Sequence, residues 1–172
     1  MRLKITLAAL AASVAFASPA TAQTSAVEPA IARGTVLQRL TLTEDADLDF
    51  GTVLATATAG DVGISADTGV RSVSGGVSAV AINAGHRAQF TGYGTPGTQV
   101  NLSLSYPAFL TSGANVVAVD PTVGLYLDSG GATRTINAAG TFQVGVGGLF
   151  NIAANQPNGV YTGTFTVTAQ YP

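Results

Sequence analysis

Gly159-Val160-Tyr161-Thr162-Gly163-Thr164-Phe165-Thr166-Val167-Thr168-Ala169-Gln170-Tyr171-Pro172 closes the sequence and decides how the rest is read. From Tyr161 onward the odd positions carry Tyr161, Gly163, Phe165, Val167, Ala169 and Tyr171, and the even ones carry Thr162, Thr164, Thr166, Thr168 and Gln170. Alternation with period two places one row against a core and the other toward water, which is the signature of a half-buried antiparallel strand. Pro157-Asn158-Gly159 precedes it, and Asn-Gly favours the positive φ angles of a tight hairpin turn. The run Thr141 to Ile152 is therefore the expected partner of this strand.

The same grammar recurs upstream. Val100, Leu102, Leu104 and Tyr106 alternate with Gln99, Asn101, Ser103 and Ser105. Thr95-Pro96-Gly97 before them suits a type II turn, so His86 to Tyr93 and Thr98 to Tyr106 are expected to form a second hairpin. Further strands are expected at Thr35 to Thr43, Ala46 to Val53, Gly60 to Ala66, Val70 to Val73, Val77 to Ile82, Asn115 to Val119, Val123 to Leu127 and Thr133 to Ile136. Beyond the first 22 residues no window longer than two turns has helical periodicity. Nine or ten short strands at spacings of roughly 8 to 12 residues, punctuated by Gly and Pro, predict an all-β fold, an antiparallel β-sandwich.

Residues 1–22 read as a secretory signal peptide: Arg2 and Lys4 form a basic start, Ile5 to Phe16 an apolar body, and Ala20-Thr21-Ala22 a small-x-small cleavage site. That apolar body is shorter than the roughly 20 residues a membrane span needs, and no later run is longer. Gln23 to Gly34 then reads as an extended arm, with Val27, Pro29 and Ile31 on one side, and residues 35–172 as the folded domain. The leader implies export to the periplasm, the cell surface or the medium.

Composition narrows the function. The chain has no cysteine, so neither disulfides nor thiolate chemistry are available. After the leader there are five arginines, no lysine and nine carboxylates, a formal charge of −4. Without a basic stripe, nucleic acid is a poor partner. Only 9% of the residues are charged, against roughly 25% in ordinary domains. A Thr- and Ser-rich surface without lysine leaves sheet edges weakly guarded against pairing, which makes assembly a natural reading; a secreted monomer with a threonine-rich skin fits the composition equally.

Few residues carry candidate chemistry. Asp45, Asp47 and Asp49 have the two-residue spacing that opens a calcium loop, which needs several hard oxygen ligands and a glycine turn. Gly51 comes one residue late, and Thr56 stands where a bidentate glutamate is required; a solvated strand face, with Ala46, Leu48 and Phe50 turned inward, explains the same residues. His86 is the single histidine and heads a strand after a Gly turn, outside any nucleophile-elbow setting. The runs Gly145-Val146-Gly147-Gly148 and Ser74-Gly75-Gly76 precede no helix that could present phosphate-binding amides. Tyr93, Tyr106, Tyr126, Tyr161 and Tyr171 could line a sugar-binding surface, although several fall on the inward side of strands and read as core. No catalytic residue, resident metal or cofactor is expected.

Several elements carry a resemblance: Leu48-Asp49-Phe50-Gly51-Thr52-Val53, Arg71 with Gly75-Gly76-Val77, Gly97 to Leu104, and Ala154-Asn155-Gln156-Pro157 through Gly159 to Val167. Together they resemble an exported bacterial family of alphaproteobacterial type known only as a domain of unknown function. A second resemblance is to chaperone-usher pilin subunits, through the penultimate Tyr171, the alternating last strand and Gly159. That one implies an immunoglobulin-like sandwich lacking one strand, a neighbour's N-terminal arm filling the gap, and a periplasmic chaperone as partner. It departs from the pilins in lacking their disulfide, and Pro29 removes one ladder donor from the arm. The expected function is a non-enzymatic exported subunit of a surface filament, pilus or coat. It would assemble with copies of itself or related subunits through Val27, Ile31, Gly159, Phe165, Val167 and Tyr171; a monomeric module binding polysaccharide is the alternative.

Overall fold

The computed structural model describes residues 25–172, so the expected leader lies outside the described residues. Residues 25–35 are in no strand or helix, and Val27 and Ile31 among them are 88% and 82% exposed. The second unit, Val36–Pro172, holds every strand and no helix. Its eleven strands are β1 (Thr41–Ala46), β2 (Val53–Ile64), β3 (Arg71–Ala79), β4 (Ala88–Tyr93), β5 (Gln99–Ser105), β6 (Phe109–Ser112), β7 (Asn115–Val119), β8 (Leu125–Leu127), β9 (Thr133–Thr135), β10 (Thr141–Ile152) and β11 (Thr166–Gln170). Eight of them make a large antiparallel sheet along the path β1-β4-β10-β2-β3, with β7 and β8 also paired to β10 and β6 paired to β7. The other three make a small antiparallel sheet in the order β11-β5-β9. The fold is an all-β sandwich.

β10 is the strand on which the large sheet converges. Thr141 to Val146 pair with β4, Val146 to Gly148 with β8, Gly148 to Ile152 with β2, and Phe150 and Asn151 with β7. So many neighbours leave little room for side chains. A Cβ on Gly147 would lie 2.2 Å from the Ile64 carbonyl oxygen, and one on Gly145 2.5 Å from that of Ala66. The glycine run is thus a crossing point, with Val144 just before it and Val146 between its glycines fully buried. Facing them across the sandwich, Val100 and Leu102 of β5 and Ile136 complete a core of β-branched and leucine side chains. Phe50 and Phe150 stack with ring centroids 3.7 Å apart.

Two expected hairpins are not hairpins. β11 pairs with β5, from Thr166 opposite Ser105 to Gln170 opposite Asn101, and not with Thr141 to Ile152. The turn after β10 comes earlier than Asn158-Gly159: Asn155 takes the positive φ of 54°, and the Gln156 amide donates to the Ala153 carbonyl. The chain then crosses to the small sheet, held on the way by the Thr162–Thr111 bridge and by the Tyr161 hydroxyl donating to the Pro157 carbonyl. Likewise the Thr95-Pro96-Gly97 turn forms, with Gly97 at φ 75°, but it carries the chain from β4 in the large sheet to β5 in the small one. Gly94 and Gly97 donate to the Gly140 and Ile136 carbonyls, so the turn is tied to the segment beneath it. The strands expected at Val70 to Val73 and Val77 to Ile82 run together as β3, and the Gly60 to Ala66 strand is the second half of β2. The Thr35 to Thr43 strand begins only at Thr41, and of Ala46 to Val53 the end residues belong to β1 and β2 while the interior contributes a single bridge, Asp49 with His86.

Arg71 gathers the elements of the Leu48 to Val53 motif. Its Nη1 donates to the carbonyls of Asn83 at 2.7 Å, Thr52 at 3.0 Å and Phe50 at 3.5 Å, and its Nη2 to that of Val80 at 3.0 Å. Gly51 is at φ 74°, and a Cβ there would lie 2.3 Å from the guanidinium. Asp49 completes the latch by accepting from the Gly51 amide and the Asn83 side chain, both at 2.7 Å. Lysine cannot serve four carbonyls on two sides of a planar fork. Arg71→Lys is therefore expected to cost about 1–3 kcal/mol in urea denaturation, and an unchanged midpoint would contradict the latch.

Candidate functional site

The strongest candidate site is a seam between sheets. β1 ends one side of the large sheet and pairs only with β4; β11 ends one side of the small sheet and pairs only with β5. The two approach each other without backbone pairing. Register fixes what faces inward. Leu42 stands opposite Gly92 and Glu44 opposite Phe90 on β4, in the same rows as Phe142 and Val144 of β10, which are buried. From the small sheet Phe165, Val167, Ala169 and Tyr171 turn to the same interior, and Phe165 meets Phe90 edge-on with centroids 6.1 Å apart. Leu42, Phe90, Phe165, Val167 and Ala169 are only half-buried. The seam is thus an apolar strip that neither sheet covers completely, and a β11 edge without charge borders it.

The expected assembly residues fall into three places. Phe165, Val167 and Tyr171 line the seam. Tyr171 is anchored within the chain, accepting from the Thr95 amide at 3.0 Å and donating to the Gln38 carbonyl at 2.9 Å. Gly159 lies away from the seam, exposed in the crossing segment, where a Cβ would come 2.4 Å from the Ser112 hydroxyl. Val27 and Ile31 belong to the extended segment. Leu42, Glu44 and Phe90 were not singled out by sequence reasoning. The one signal was that Glu44 continues the Leu40–Leu42 phase, and it was hidden by the acidic run that follows.

That acidic run is dispersed. Asp45 accepts from the Thr91 hydroxyl at 2.7 Å, Asp47 lies 3.6 Å from His86, and Asp49 belongs to the latch. Among the described residues no three His, Cys, Asp or Glu side chains are grouped to hold a metal. His86 is a surface residue whose Nδ1 is 3.1 Å from the Asp47 carbonyl oxygen. Tyr93, Tyr106 and Tyr126 are more exposed than core filler would be, at 48%, 41% and 37%. Tyr126 borders a shallow trough of about 360 Å³ with Val70, Ser72 and Leu149.

Carboxylates elsewhere tie loops together. The Asn151 amide bridges Asp61 and Asp120, donating to each at 2.9 Å. That bond, with the Val123 and Thr122 amides, holds the Asp120 carboxyl below its ordinary value. Asp67 is lowered by the Ser129 backbone and side chain. At Asp49 burial acts to raise the pKa, but the Asn83 and Gly51 hydrogen bonds with nearby His86 and Arg71 outweigh it and the net shift is downward. A carboxyl lowered on folding adds stability that is full above its unfolded pKa of about 3.9 and is lost as pH falls through the folded value. The urea midpoint is expected to decline below about pH 4, and Asp49→Asn to make that decline shallower. Equal acid limbs for the two proteins would contradict the assignment.

No curated protein and no solved structure matches the chain. A family model described as "Domain of unknown function (DUF4402)" matches residues 40–171, a span that takes in all eleven strands. The chain belongs to the DUF4402 family.

Proposed function

We propose that this chain is an exported, non-enzymatic structural subunit of a surface filament, pilus or coat, which assembles when the extended N-terminal segment of one copy enters the β1/β11 seam of another. The observation that carries the reading is the seam itself: two sheet edges near each other, unpaired, over apolar side chains that the fold leaves half-covered. A strand added there would gain main-chain hydrogen bonds from an open edge and bury alternate side chains against Leu42, Phe165 and Val167. Residues 25–35, in no strand or helix of their own, carry the exposed Val27 and Ile31 that would supply them. The sparse surface charge favours the same reading, because little electrostatic repulsion opposes contact between copies. Export rests on the leader-like residues 1–22.

Light scattering coupled to size-exclusion, on protein beginning at Gln23, with and without residues 23–33, tests this. The full form is expected to populate concentration-dependent multimers and the trimmed form to stay folded and monomeric. Identical monomeric profiles would contradict assembly through the arm.

A further inference from the structure

The charged side chains divide unevenly. All seven aspartates have a partner inside the chain: Asp45 the Thr91 hydroxyl, Asp47 His86, Asp49 and Asp61 the Asn83 and Asn151 amides, Asp67 the Ser129 amide, Asp120 Asn151, and Asp128 Arg134. Arg71 and Arg87 are taken up by backbone carbonyls. Among the described residues the charges left without a partner are Glu28, Arg33, Arg39 and Glu44. Glu44 stands apart because its register with Phe90 and Val144 puts it in the row that continues Leu42, as an exposed anion at the end of the apolar seam.

The extended segment carries the complementary pattern. With side chains alternating, Val27, Pro29, Ile31 and Arg33 share one face, an apolar row that ends in a cation. Leu40 just before β1, with Leu42 and Glu44 in it, has the same order. Direction follows from β11: Tyr171 reaches Gln38 just before β1, and Phe165 meets Phe90 opposite Glu44, so β11 runs against β1.

We infer that the partner of Glu44 is Arg33 of a second copy, and that this pair sets the register of the entering arm. The arm lies parallel to β1 and antiparallel to β11, with Ile31 beside Leu42 and Arg33 beside Glu44. The inference rests on the arm-in-seam reading proposed above and adds what that reading leaves open, namely direction and register. Opposite charges fix register while like charges placed together oppose association. The pair also specifies against slippage, since a two-residue shift would leave Glu44 against apolar Ile31 or Arg33 against Leu42.

The chain has no cysteine, so a disulfide can report the contact. Arg33→Cys protein mixed with Glu44→Cys protein under mild oxidation is expected to give a mixed dimer, and Arg39→Cys mixed with Glu44→Cys is expected to give little. Charge reversal supplies a second reading: Arg33→Glu and Glu44→Arg each weaken association about fivefold, and the double variant returns to within about twofold of the parent. If trimming residues 23–33 abolishes association but neither the disulfide nor the rescue is seen, the register is wrong and the arm-in-seam reading survives. If trimming changes nothing, both fail.

Discussion

The constraint on which the structure depends is the crowding around β10. One strand of twelve residues pairs with β4, β2, β7 and β8, and it can do so only where glycine lets neighbouring backbone approach within a Cβ radius. Crowding there explains why a glycine-rich run that resembles a loop is the most buried strand of the protein. It also explains the separation into two sheets. With β10 fully occupied, the last strand has no place beside it and pairs with β5 instead.

The seam follows from that division. The small sheet has only three strands and cannot cover the whole inner face of an eight-stranded sheet. Where its β11 edge passes β1, the interior is sealed by side chains alone, and those side chains stay half-buried. The fold closes both ends of this region by other means, the Tyr171 hydroxyl at one end and the Phe90–Phe165 contact at the other. What lies between is a strip of half-buried apolar side chains.

The sequence was most legible where periodicity is local. From Phe165 to Tyr171 the odd row is half-buried and the even row exposed, as the pattern required, although Gly163 is exposed and the strand begins only at Thr166; β5 with its matching pattern became the strand's neighbour. β7 and β10 have the expected bounds of Asn115–Val119 and Thr141–Ile152. Pairing was not legible: Asn158-Gly159 signals a turn that the chain makes at Asn155 instead, and Thr95-Pro96-Gly97 a turn that does not say whether the chain stays in its sheet. Arg71 holding Phe50, Thr52, Val80 and Asn83 depends on contacts 9 to 21 residues apart in sequence that no local pattern encodes. Glu44 carried no sequence signal of its own, because only the register with β4 distinguishes its row from that of its acidic neighbours.

Hydrogen exchange at the β11 edge tests the central claim most directly. In concentrated full-length mature protein, amides of Thr166–Gln170 that face away from β5 should be protected and should lose that protection when residues 23–33 are removed, while β10 stays protected in both. Equal exchange of the β11 edge in the two proteins would contradict the account.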